Sequence, residues 1–164
     1  MSPRVLQVYG PVDGGVPAHV QVLSEGLLER GWELELAAPA ASPALHALRD
    51  LGVPVHPLAF SRAPRPGDLT TLARLRALDR ERGFDLVHAH SSKAGALVRA
   101  ALPRPGRLVY TPHCFAFAAS FGVAAGAQRA LYALAEQALV PRTGAIVAVS
   151  EWERAEGRRR LRGA

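Results

Sequence analysis

Four short segments of this 164-residue chain hold residue types that bind or move chemical groups. The first is Gly10-Pro11-Val12-Asp13-Gly14-Gly15. Adjacent glycines ahead of a helix let backbone N–H groups approach a phosphate, and the helix N-terminus adds a positive dipole. The same pair also suits a tight turn that needs positive φ. The spacing is not G-x-G-x-x-G, and the second strand ends Leu36-Ala37-Ala38-Pro39 with no acid for a ribose hydroxyl, which disfavours NAD and FAD. Nor is it G-x-x-x-x-G-K-[ST], so P-loop hydrolysis of ATP is excluded.

The second segment is Asp85-Leu86-Val87-His88-Ala89-His90-Ser91-Ser92. Side chains alternate along a strand, so His88 and His90 share a face. Two histidines at this spacing suit a metal, but no Asp, Glu or Cys stands in a plausible third position. No metal is therefore expected. His88 reads as structural and His90 as a polar contact to a ligand or a neighbouring loop. The third segment is Tyr110-Thr111-Pro112-His113-Cys114-Phe115, with His113 just past a strand and able to donate to a sugar hydroxyl or a phosphate. Cys114, with no base and orienting group evident, reads as a small buried hydrophobe. In the fourth, Val149-Ser150-Glu151, Ser150 reads as a helix N-cap.

The elements that must position these residues alternate. Apolar runs predict strands at 5–9, 33–38, 53–58, 85–89, 108–111 and 145–149, the third an edge strand because it holds Pro54 and Pro57. Helical spacing fills 16–30, 43–51, 93–102 and 127–139, with a last helix after Ser150. A further helix starts at Asp68 as its cap, with Leu69, Leu72 and Leu75 inward. Segment 115–123 is apolar and less regular. Six strands alternating with helices predict a Rossmann-like, three-layer α/β/α domain with a parallel sheet of about six strands. Ligands of such a sheet bind beyond the carboxyl ends of the strands, where all four segments fall.

Composition narrows the classes. At 49% hydrophobic and 21% charged, the chain is globular and large enough for one domain without staples. The 30 Ala, 22 Leu and 19 Arg against one Lys reflect a GC-rich genome. The net charge of +6 comes from dispersed residues, apart from Arg158, Arg159, Arg160 and Arg162. Aromatics are 6% and none sits among those arginines, which argues against nucleic acid. Anionic small molecules or an anionic membrane surface, met through Arg62, Arg65, Arg74 and the last arginines, suit the charge. One cysteine, no signal peptide and no 18-residue apolar run point to a cytoplasmic, reducing setting.

In order and spacing these motifs resemble the N-terminal domain of GT-B-fold retaining glycosyltransferases, specifically family 4. The residues that carry the likeness are Gly14-Gly15 followed by His19, then Leu28-Glu29-Arg30-Gly31-Trp32-Glu33-Leu34. After them come Asp85–Ser91, Tyr110-Thr111-Pro112-His113 and Ile146-Val147-Ala148-Val149-Ser150. The resemblance implies domain 1–157 as the acceptor-side half, with 158–164 a basic tail leading to a second, nucleotide-sugar-binding domain. It implies that Gly14 and Gly15 lie near the donor phosphates and the acceptor, and that His113 stands beside the transferred sugar as the catalytic histidine. Asp13, His19, His90, Ser91, Ser150 and Glu151 would line the acceptor cleft. The reaction implied moves a sugar from a nucleotide-diphospho-sugar to an acceptor hydroxyl, lipid-linked or small, without metal or other cofactor. The chain departs from the family at Cys114, where Gly is common, and at Trp32, where His is usual. The diphosphate-binding cations and paired glutamates of the second domain are absent, so the isolated chain is expected to be inactive. The rival expectations are a binding module docked to a separate catalytic subunit, and an epimerase, for which Asp13 is the only loop carboxylate evident.

Overall fold

Strand β1 (Arg4–Tyr9) is the centre of a parallel sheet. It is followed by α1 (Gly15–Glu29), β2 (Glu33–Ala38), α2 (Pro43–Asp50), β3 (Val55–Pro57), α3 (Gly67–Arg82) and β4 (Leu86–His90). Then come α4 (Ser92–Ala101), β5 (Leu108–Thr111), α5 (Gly126–Leu139), β6 (Ala145–Ile146) and α6 (Glu151–Arg160). The structure, a computed structural model, describes residues 2–60, 64–102, 104–118 and 126–163. Arg62 and most of the irregular segment 115–123 thus lie outside the described residues.

The strand order is β3-β2-β1-β4-β5-β6 and every pairing is parallel. Successive strands run outward from β1 to one edge, then restart at β4 on the other side. That reversal opens a crevice at the carboxyl ends of β1 and β4. The expected Rossmann-like α/β/α domain with six parallel strands is therefore what forms. Strands buried on both faces explain the near-continuous apolar runs. Val5, Tyr9, Leu34 and Leu36 pack with Val20, Leu45 and Leu48 of α1 and α2. Leu6, Val8, Val87 and Ala89 pack with Leu75, Ala94, Leu97 and Val98 of α3 and α4.

Three local expectations are corrected. Asp68 lies inside the first turn of α3 rather than capping it, and its carboxylate accepts from the Arg65 N–H and binds the Lys93 ammonium. Leu69 faces solvent at 71% exposure, because Thr71 takes the inward position and donates to the Ala59 carbonyl at 3.0 Å. Strand β6 stops at Ile146 instead of Val149. Its neighbour β5 ends at Thr111, and the next residue, Pro112, has no N–H to extend the ladder.

Gly95 brings α4 against the sheet: a Cβ there would lie 2.3 Å from Cε2 of Tyr110. Behind Tyr110, buried Arg99 holds Glu136 of α5 at 2.7 Å, and the Tyr110 hydroxyl donates to the same carboxylate at 3.1 Å. The arginines read as the start of a tail are the last turn of α6. Leu161, just beyond, is buried with Phe115 and Phe117. Among the described residues no helix is long and apolar enough to cross a membrane.

Candidate functional site

Three loops meet at the crevice. After β1, Gly14 adopts φ 87°, which glycine reaches without steric cost, and α1 begins at Gly15. After β4, Ser91 holds φ 75° and starts α4. After β5, two consecutive non-glycine residues, His113 at φ 55° and Cys114 at φ 100°, turn the chain sharply out of the strand. Side chains rarely adopt this region, and such residues persist only where surrounding contacts over-determine them. Glu153 of α6 supplies those contacts. Its carboxylate accepts from the Cys114 N–H and, at 2.8 Å, from the Val149 N–H. Glu153 is itself held by its own N–H, which donates to Ser150 Oγ at 3.1 Å.

The loops converge on imidazoles. His90 is fully buried and its Nδ1 lies 3.2 Å from Nε2 of His113. His19, one turn into α1, presents its ring 4.9 Å from that of His113 and 5.8 Å from that of His90, centroid to centroid. The other nitrogen of His90, Nε2, donates to Oε1 of Gln7 at 2.7 Å. His88 lies against the His90 ring at 4.0 Å, and its Nε2 bonds Thr111 Oγ1 at 2.8 Å. The register explains the grouping: Gln7 is paired with His88, and Tyr9 with His90, so all four side chains emerge on the α1 face.

Burial keeps the rings of His88, His90 and His113 neutral. It pushes His88 down to about 4, helped by the neighbouring His19 and His113. It pushes His113 down to about 4 as well, with His19 adding to the effect. His90, the deepest, is held far below the usual imidazole range by burial first and then by His88, His113 and His19. Burial raises the Cys114 thiol, and Glu153 raises it further, so Cys114 is a poor nucleophile.

The residues singled out from sequence divide as follows. Gly14, Gly15, His19, His90, Ser91 and His113 lie around one crevice. Asp13 is exposed on the glycine turn. Ser150 caps α6, and Glu151 is exposed and paired with Arg154 instead of facing the imidazoles. Sequence reasoning missed Gln7 and Glu153. Gln7 carried a signal, being a polar residue inside Val5-Leu6-Gln7-Val8-Tyr9. Glu153 carried none, as a charged residue in a strongly charged helix. The search for a third metal-type ligand among carboxylates and thiols also failed: the groups that join His90 are His19 and His113, one nitrogen of each lying within 4.8 Å of the others.

A 3-2-1-4-5-6 parallel sheet whose switch point carries a glycine turn and buried imidazoles defines a Rossmann-like domain that takes its ligand beyond the carboxyl ends of its strands. The sequence pattern of the glycosyl transferase 4-like domain matches residues 14–164, and the chain belongs to that family. A search of curated proteins finds no match. Among solved structures, sucrose-phosphate synthase from Thermosynechococcus elongatus superposes with a TM-score of 0.72 at 18% identity, over 100% of this chain and 46% of that one. HepE from Anabaena, in complex with UDP, gives 0.66 at 19% identity over 93% and 39%. MurG from Acinetobacter baumannii gives 0.61 at 11% over 89% and 41%. The chain spans less than half the length of each of these proteins.

Proposed function

We propose that this domain is the acceptor-side half of a glycosyltransferase that moves a sugar from a nucleotide-diphospho-sugar to an acceptor hydroxyl with retention of configuration. The observation that carries the reading is His113, lifted out of β5 by its left-handed turn and presented as a neutral imidazole beside His19 of α1. A neutral ring at this place can accept from or donate to a sugar hydroxyl without bringing charge into the cleft. Neither Gly14 nor Ser91 makes a side-chain cap, and neither α1 nor α4 has an acid in its first turn. Both helix N-termini thus favour phosphate oxygens at the same crevice. The departing diphosphate needs further cations, which a second domain would contribute, so the isolated chain would not turn over. Glu153 has both oxygens engaged by backbone N–H groups, which removes it as an acid or base for epimerisation.

The test uses the protein that holds this domain together with its nucleotide-sugar half, and a panel of UDP-, GDP- and TDP-hexoses. His113→Ala should lower turnover, read as donor consumption, by roughly 100-fold or more while nucleotide affinity stays within about twofold. Unchanged turnover removes His113 from the reaction. A lipid-linked acceptor and peripheral membrane contact form part of the same proposal, motivated by exposed Arg65, Arg74 and the arginines of α6. Equal binding to anionic and neutral vesicles would exclude the membrane contact.

A further inference from the structure

The imidazoles at the crevice form a ligand set as well as a hydrogen-bonding one. We infer that His19, His90 and His113 together bind a divalent transition-metal ion of the zinc class, with a fourth coordination position open to the cleft. The inference does not rest on the transfer reaction. One ring nitrogen from each histidine lies within 4.8 Å of the other two. The closest pair, His90 Nδ1 and His113 Nε2, is separated by 3.2 Å. Two imidazoles on a tetrahedral ion at about 2.0–2.1 Å would stand about 3.3–3.4 Å apart.

The surroundings match what such ligands need. A metal-binding histidine donates its second nitrogen to an oxygen, which fixes the ring and leaves the first nitrogen as a lone pair. His90 does this: Nε2 donates to Gln7 Oε1 at 2.7 Å, so Nδ1 is unprotonated and directed at His113. Both His90 and Gln7 are fully buried, so the pair is preset. His19 is exposed and already brings a ring nitrogen within 4.8 Å of the other two. An all-nitrogen set selects zinc, copper or nickel over magnesium and calcium. Three protein ligands with one open position also leave room for a phosphate or hydroxyl oxygen. Occupancy engages the His113 lone pair, so ion and sugar hydroxyl compete for that nitrogen.

The experiment is a titration of tag-free protein with Co²⁺, read by visible ligand-field bands, and with Zn²⁺ against a chromophoric chelator. One ion per chain and tetrahedral Co²⁺ bands are expected. His19→Ala and His113→Ala should each weaken binding roughly tenfold or more, whereas His46→Ala, on the exposed face of α2, should leave it unchanged. His19→Ala is the decisive variant because His19 is exposed and its loss leaves the fold intact, which circular dichroism verifies. Absence of tetrahedral bands, or zinc binding indifferent to His19→Ala and His113→Ala, overturns the site and leaves a hydrogen-bonded histidine pair.

Discussion

His90 donates through Nε2 to Oε1 of Gln7 at 2.7 Å, and this bond decides what the rest of the crevice can do. It commits the proton of His90 to the strand below and directs a lone pair upward at His113. Gln7→Leu keeps the volume but leaves the buried His90 N–H without its acceptor. The variant should lose about 1–3 kcal/mol of stability, measured by urea unfolding. It should also weaken zinc binding by about 10–100-fold. Wild-type zinc affinity in Gln7→Leu would show that Gln7 does not orient His90.

Stability should depend on pH through His88. Its folded value is depressed to about 4 from 6.5, so the unfolded chain binds the proton more readily. The contribution is therefore fully present above about pH 6.5 and is lost as the pH falls towards 4. A shift of this size corresponds to about 3 kcal/mol. His88→Gln, which retains a hydrogen-bonding partner for Thr111, should flatten the fall between pH 7 and pH 4.5. An unaltered pH profile would mean that His88 binds its proton equally readily in the folded and unfolded chain.

Glu153 should matter more than any other residue of α6. Glu153→Ala removes the acceptor of two backbone N–H groups, those of Cys114 and Val149. A loss of about 2–3 kcal/mol is expected. Amide exchange should rise at Cys114 before it rises in β5. Protection at Cys114 equal to wild type would show that the loop holds its turn unaided.

Gly95→Ala tests the approach of α4 to the sheet. The new methyl would meet the Tyr110 ring, which is pinned by Arg99 at 4.0 Å over its face and by Glu136 at its hydroxyl. The ring has nowhere to swing, so the variant should cost about 1–3 kcal/mol although alanine is the better helix former. A rise in melting temperature would indicate that α4 can shift outward freely.

The sheet was legible in the sequence because strands buried on both faces write themselves as apolar runs, and Pro54 and Pro57 marked the edge. Strand β6 was overread because Val147 and Val149 have strand character, whereas its length depends on Pro112 just past the end of β5. Leu69 was misassigned because helical spacing does not reveal which of two overlapping stripes is inward, and Thr71 had a carbonyl waiting for it. His90 and His113 were visible as loop residues beyond strands. Their union with His19 was not, since it depends on how α1 packs on β1, the strand next to β4. Glu153 was invisible for the same reason: its partners, the Cys114 and Val149 N–H groups, come together only when α6 docks beside β5.

The docking of α6 has a mechanical consequence. The turn that carries His113 is fastened to the first turn of α6 through Glu153, while Leu161, past the far end of the same helix, is buried against Phe115 and Phe117 just downstream. Helix and turn are thus clamped at two points about a helix length apart. A shift of α6 would therefore pull, through the Glu153 carboxylate, on the Cys114 N–H, one residue beyond His113.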